Sequence, residues 1–387
     1  MNRHIDLQSI LQQHLPSYTS KRRLSARQRQ VCSHVATCRT LSLGGRELSC
    51  DECEYKTTQY HSCRDRHCPK CQHYQRETWC ERQRADVLPV TYHHLVFTLP
   101  AELNAWIGLH PELVYHLLFS CAWRTLAMFG ADPKRLDGQM GMTAMLHTWG
   151  ENLSRHVHLH CLVPGGALSN TGAWNEAKSE YLFPVRALSR CFRGKMVSAL
   201  RQAANQKRLN RVSRDGEINE ILEVLMSKNW VVFSKPCPMR AEAVIDYLGR
   251  YSYRVAISDQ RLLKADSTHV YFSAKNYSDD GRRRVLKLET TEFIRRYLLH
   301  VLPKGLMRIR HYGFLANRGR KEKLCRIREA LQRAGVEKTV HDRPTDCKPP
   351  EPTTCPRCKT GQLSASELLK PTRTTRLKNT MIEKPVY

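Results

Sequence analysis

Arg155-His-Val-His-Leu-His-Cys-Leu-Val163 is the stretch from which the fold of this chain is read. Alternation along a β-strand places His156, His158 and His160 on one face and Val157, Leu159 and Cys161 on the other. The apolar face seeks a core, and the imidazole face presents neighbouring nitrogens to one metal ion from a rigid platform. A similar run at 142–149 precedes it across a short polar link, and Pro164-Gly165-Gly166 closes it, so the two runs form a hairpin. His147 and Glu151, in or next to the partner run, are the candidates for a third ligand. Two histidines with an oxygen ligand serve either zinc hydrolysis or Mg2+/Mn2+ phosphoryl chemistry, and the partner residues decide between them.

Outward from the hairpin, Leu95, Phe97 and Leu99 alternate as in a strand ended by Pro100. Leu113/Val114, Leu117/Leu118 and Cys121/Ala122 then recur with helical period. Further strands are expected at 230–233, 254–258, 270–273 and 284–288, and a helix carrying Phe293, Ile294, Tyr297, Leu298 and Val301 stops at Pro303. Residues 239–250 have helical spacing, which sets Tyr247 and Tyr251 one turn apart on one face, with Arg250 beside them. Tyrosines at this spacing usually pack. A phenol next to cations and a metal site is, however, a nucleophile toward phosphate.

The chain has 387 residues with 63 Lys+Arg against 36 Asp+Glu, a formal charge of +27 that attracts polyanions. Nucleic acid is the expected partner. Residues 186–214 hold nine Lys/Arg and no acid, and residues 304–338 hold eleven against three acids, with Arg318, Arg320, Lys321 and Lys323 as phosphate-contact candidates. Leu324, Ile327 and Leu331 make an apolar stripe under that second run. No apolar run reaches the ~18 residues of a membrane span, and no signal-peptide core opens the chain, so the expectation is a cytoplasmic protein without a membrane partner.

Sixteen cysteines are too dilute at this length for a disulfide scaffold and are read as a metal pattern. Cys50-x2-Cys53 and Cys68-x2-Cys71, separated by fourteen residues, are expected to converge on one structural Zn2+, with Cys38, Cys63 and His67 as alternates. Arg64, Arg66 and Lys70 around the second pair are expected to face phosphate. Cys355 and Cys358 form a lone pair with no downstream partner in a Pro/Thr/Lys-rich tail.

Several segments together resemble one family. Cys63-Arg-Asp-Arg-His-Cys-Pro-Lys-Cys71, Leu95-Val-Phe-Thr-Leu-Pro100, Leu146-His-Thr-Trp-Gly150, His158-Leu-His-Cys-Leu-Val-Pro-Gly-Gly166, Tyr247-Leu-Gly-Arg-Tyr251, Arg254-Val-Ala-Ile-Ser258 and His311-Tyr-Gly-Phe-Leu-Ala-Asn317 are similar, in order, to the insertion-sequence-ninety-one family of rolling-circle transposases. The resemblance runs from about Cys38 to Gly335. It implies an α+β chain: an N-terminal zinc-binding module, then an HUH (His-hydrophobic-His) nuclease with a central antiparallel sheet flanked by helices.

The domain expectations are 1–90 for the zinc module, 91–303 for the nuclease, 304–340 for a basic helical extension and 341–387 for a flexible tail. The family's metal histidines fall on His158 and His160, and its tyrosine pair on Tyr247 and Tyr251, while Tyr253 stands where relatives often have His. The implied chemistry is Mg2+- or Mn2+-dependent cleavage of single-stranded element ends, and of target, through a 5′-phosphotyrosine. A plasmid replication initiator or relaxase of the HUH class, and a non-catalytic zinc-finger DNA-binding regulator, are the rival readings.

Overall fold

The computed structural model describes residues 5–177, 182–210, 212, 215–237, 244, 249, 253–276, 279–336 and 353–372, leaving aside the side chains of 73–75, 78 and 215. The chain divides into two units, Met1–Gln72 with Asp346–Tyr387, and His73–Thr345.

In the first unit, α1 (Leu7–Lys21) and α2 (Ala26–Thr37) each open on a capping box, Asp6 with Ser9 and Ser25 with Gln28. These boxes satisfy N–H groups that a helix start leaves without partners. Leu7, Ile10 and Leu11 are buried, as are Val31, Cys32 and Val35. β1 (Gly45–Cys50) is the centre of an antiparallel three-stranded sheet, with β2 (Lys56–Tyr60) on one side and the strand Leu363–Leu369 on the other. Only Gly45 and Leu48 of this sheet are buried, so side-chain packing contributes little to holding it. Residues 353–372 thus carry structure where a flexible tail was expected, because β1 supplies them with a pairing edge. The unit boundary at Gln72 also falls short of the expected 90.

The second unit is built on a five-stranded sheet of β3 (Tyr92–Thr98), β4 (Gly141–Trp149), β5 (Arg155–Pro164), β8 (Val232–Cys237) and β12 (Ile309–Gly313), in the order β12-β4-β5-β3-β8 and antiparallel throughout, while β6 (Gly166–Leu168) and β7 (Trp174–Glu176) pair with each other. β4 and β5 form the expected hairpin, with His147 opposite His158 and Met145 opposite His160.

One face of the sheet is apolar. After α3 (Pro69–Arg84) and α4 (Asn104–Leu109), the helices α5 (Pro111–Gly130) and α6 (Val185–Asn205) join Leu95 and Phe97, Ala144 and Leu146, and Val157, Leu159 and Cys161 in the main core. α6 accounts for most of the first basic run: Leu188, Phe192, Met196 and Leu200 point inward and its arginines do not. The opposite face carries His94, His147, His158 and His160, because period-2 alternation leaves them no place in the core.

Further strands β9 (Leu262–Ala265), β10 (His269–Asn276) and β11 (Arg282–Glu289) form a separate antiparallel sheet on which the helix Thr290–Leu298 packs, Phe293 against Phe272. The strand expected at 254–258 is a loop, and the one expected at 230–233 starts at Val232.

The segment 304–340 is no extension. Its β12 is an edge of the central sheet, and the helix Arg320–Arg333 buries Leu324, Ile327 and Leu331 with Leu88, Phe314 and Leu315. Gly313 joins these two pieces at φ +63°, where a Cβ would lie 1.7 Å from the Met140 carbonyl oxygen, so only glycine fits. Among the described residues no helix is long and apolar enough to cross a membrane.

Candidate active site and metal centres

His158 and His160 project from the same face of β5, and their Nε2 atoms lie 3.1 Å apart. Bonds of about 2.1 Å to one ion at a right angle put two nitrogens about 3.0 Å apart, so this spacing fits a shared cation. The Nδ1 atoms are otherwise engaged. Nδ1 of His158 donates to the His156 carbonyl at 2.9 Å, and Nδ1 of His160 lies 2.8 Å from Nε2 of His94. With the ring protons on the Nδ1 atoms, both Nε2 lone pairs face the shared point.

His147, opposite on β4, completes a group of three imidazoles whose ligand atoms lie within 4.8 Å of one another. Burial lowers the pKa of His158 to about 4 and that of His160 well below its ordinary value. Both rings are therefore neutral near pH 7, the form that binds metal. His156, the third histidine of the strand pattern, sits at the exposed end of β5 and contributes its carbonyl instead of its ring.

Glu151, the other third-ligand candidate, stands outside this group. Nη2 of Arg254 donates to its Oε1 at 2.8 Å, Arg261 is 3.5 Å from its Oε2, and the Lys275 N–H reaches Oε2 at 3.3 Å. Burial disfavours the charged carboxyl, but Arg261 and Arg254 overcome it and hold the pKa below the usual range. Glu151 is a committed carboxylate partner for arginine.

Arg254, held in this way, is close enough to disfavour protonation of both His158 and His160. Sequence reasoning missed it as a site residue. Tyr247, Tyr251 and Arg250 lie outside the described residues. Tyr253 packs against Trp79 with ring centroids 6.0 Å apart, and burial raises its pKa.

The cysteines expected on one ion are divided between two groups. Cys68 and Cys71 join Cys38 and Cys63, whereas Cys50 and Cys53 join Cys355 and Cys358. Sγ of Cys71 is 3.6 Å from those of Cys38 and Cys63. Zn–S bonds of about 2.3 Å place tetrahedral sulfurs about 3.8 Å apart, so thiolates at this spacing fit zinc. The single-ion expectation failed because Cys50 ends β1 and Cys68 precedes a helix. Cys38, at the C-terminus of α2, and Cys63 then complete the second pair's shell. His67 falls outside both cysteine groups, and its Nδ1 is 2.7 Å from Asp65, whose other oxygen meets His34 at 2.9 Å.

The candidate phosphate contacts differ in freedom. Arg64 is exposed at φ +54°, while Arg66 is half-buried. Lys70 is 2.8 Å from Asp6, and Arg320 is 3.3 Å from Asp86. Lys323 donates to Gln139 at 3.0 Å, whereas Arg318 and Lys321 are exposed.

Comparison with known proteins agrees with this anatomy. Residues 10–99 match the family described as "Transposase zinc-binding domain", and residues 141–323 match the one described as "Putative transposase". The chain is 42% identical over 359 residues to "Putative transposase y4qJ" of Sinorhizobium fredii, covering 89% of this chain and 90% of that protein. It is 26% identical over 322 residues to "Transposase for insertion sequence element IS801" of Pseudomonas savastanoi pv. phaseolicola, covering 79% of this chain and 74% of that one. No solved structure matches with significance. With Cys38, Cys63, Cys68 and Cys71 inside the zinc-binding match and His147, His158 and His160 inside the second, the chain belongs to the insertion-sequence-ninety-one (IS91) family of transposases.

Proposed function

We propose that this transposase cuts single-stranded ends of its element by attack of a tyrosine on the scissile phosphate, in an HUH-type active site. The observation that carries the reading is the pair of Nε2 atoms of His158 and His160, 3.1 Å apart, with His147 beside them. These three histidines would hold Mg2+ or Mn2+, which supplies Lewis-acid polarisation of a phosphoryl oxygen.

Tyr247 or Tyr251 supplies the nucleophile. Its phenolate oxygen bonds to phosphorus, the P–O3′ bond breaks, and the products are a 5′-phosphotyrosine and a free 3′-OH. Reversal by a 3′-OH reseals the strand with no external energy source, and a second tyrosine serves a second strand. Arg254, fixed by Glu151, adds positive charge where the phosphate gains negative charge. The net charge of +27 supports a polyanionic substrate.

The test is incubation with labelled single strands from the flanks of the transposase's own gene in Mg2+ or Mn2+, resolved on a denaturing gel. Protein-linked DNA with a free 3′ end is expected. Binding without any cleavage would instead place the chain among non-catalytic DNA-binding regulators.

A further inference from the structure

We infer that Cys50, Cys53, Cys355 and Cys358 form a second zinc site, one that clips the C-terminal segment onto the N-terminal module. The matched zinc-binding domain ends at residue 99, so half of these ligands lie far outside it. The four Sγ atoms fall within 4.8 Å of one another. Cys50 and Cys358 are 3.7 Å apart, as are Cys53 and Cys355, against the about 3.8 Å of a tetrahedral zinc–thiolate edge. A disulfide needs about 2.05 Å, so these are not bridged pairs.

The two Cys-x2-Cys turns are built as ligand knuckles. The Glu52 N–H donates to Sγ of Cys50 at 3.4 Å, and the Gly361 N–H to Sγ of Cys358 at 3.3 Å. Such N–H···S bonds stabilise a thiolate before a cation arrives. Around the second knuckle, the Cys355 N–H donates to the Gly361 carbonyl at 2.7 Å, and the Gln362 N–H to Oδ1 of Asp51 at 2.7 Å. Gly361 is required here, since a Cβ would sit 2.5 Å from Sγ of Cys50.

The pairing of Leu363–Leu369 with β1 then continues directly from the metal turn, Leu363 opposite Cys50. No residue of that strand is buried, so backbone hydrogen bonds alone would hold it weakly. An ion binding two thiolates from each end supplies the missing stabilisation.

The test uses the full-length protein under reducing conditions. Inductively coupled plasma mass spectrometry should find two equivalents of zinc in the wild type and one in Cys355→Ser/Cys358→Ser. One equivalent in the wild type, two in the variant, or iron in place of zinc would overturn the assignment. A second measurement needs no variant. Cys358 is half-exposed, so alkylation by N-ethylmaleimide, read by peptide mass spectrometry, should modify it far more slowly than exposed Cys325 until a chelator is added. Modification of Cys358 at the rate of Cys325 in the zinc-loaded protein would also overturn it. Neither measurement depends on DNA cleavage, so failure of the tyrosine chemistry leaves this site untouched.

Discussion

Nδ1 of His160 on β5 lies 2.8 Å from Nε2 of His94 on the neighbouring β3, and both rings are buried and stacked with centroids 5.1 Å apart. This contact fixes the tautomer that turns the His160 Nε2 lone pair toward His158. His94→Leu should therefore weaken Mn2+ binding about 10–100-fold while the fold persists, because a partner of a metal ligand governs its basicity and orientation. Isothermal titration with Mn2+ checks this, and unchanged affinity would reduce His94 to a packing residue.

The same burial sets a pH dependence. His94 and His158 have pKa values of about 4 in the folded chain against an ordinary 6.5, chiefly through burial. Between these values the unfolded chain binds more protons than the folded one. Stability of the metal-free protein is thus complete above about pH 6.5 and declines as the pH falls toward about 4. Guanidinium midpoints at pH 7 and pH 5 measure the decline, and His94→Leu should make it smaller.

Glu151 and His147 now have opposite expectations. Glu151→Gln should leave Mn2+ affinity unchanged and cost about 1–2 kcal/mol of stability, because Arg254 and Arg261 lose a charged acceptor. His147→Ala should lower Mn2+ affinity. Titration of both variants, with their denaturant midpoints, decides between the two third-ligand candidates, and weakened binding in Glu151→Gln would restore the carboxylate.

Much of the site could be read from the chain because strand alternation is local: the period of 155–163 alone puts His158 and His160 together. Cys355 and Cys358 could not be placed, since their partners lie some 300 positions away and no local pattern encodes a pairing of chain ends. His94 was hidden in the same way, because cross-strand register relates residues 66 apart that carry no shared motif. The second basic run was misjudged as an extension because its charges outnumber the three buried residues, Leu324, Ile327 and Leu331, that fasten it.

That helix separates packing from DNA contact. Ile327→Ala should destabilise by about 2–5 kcal/mol, since the side chain is fully buried in a cluster with Leu88 and Phe314. Arg318→Ala with Lys321→Ala should leave stability within about 0.5 kcal/mol. The pair should flatten the salt dependence of single-strand binding by roughly 0.7 per lost phosphate contact. Arg320 is a poorer probe, because its removal also breaks its ion pair with Asp86. Binding isotherms across a salt series test the claim, and an unchanged slope would assign these charges to solubility.

The last prediction concerns the nucleophile. Tyr→Phe removes one oxygen and keeps the ring, so packing survives and lost activity belongs to the phenol. Tyr247→Phe with Tyr251→Phe should form no covalent complex with a cleavable single strand. Each single variant should still nick but fail to complete transposition if the two phenols serve different strands, whereas a one-tyrosine mechanism would leave one variant dead and the other near normal. Tyr253→Phe should stay near wild type. Its ring packs against Trp79, and burial raises its pKa, which makes its phenolate scarcer at neutral pH than that of an exposed tyrosine. His158→Ala with His160→Ala should abolish cleavage and leave single-strand affinity nearly intact, because the histidines act on the transition state and contribute little to grip. Covalent linkage that persists in the double Phe variant and disappears only with Tyr253→Phe would transfer the role to that third phenol, and linkage surviving all three changes would remove tyrosine from the mechanism.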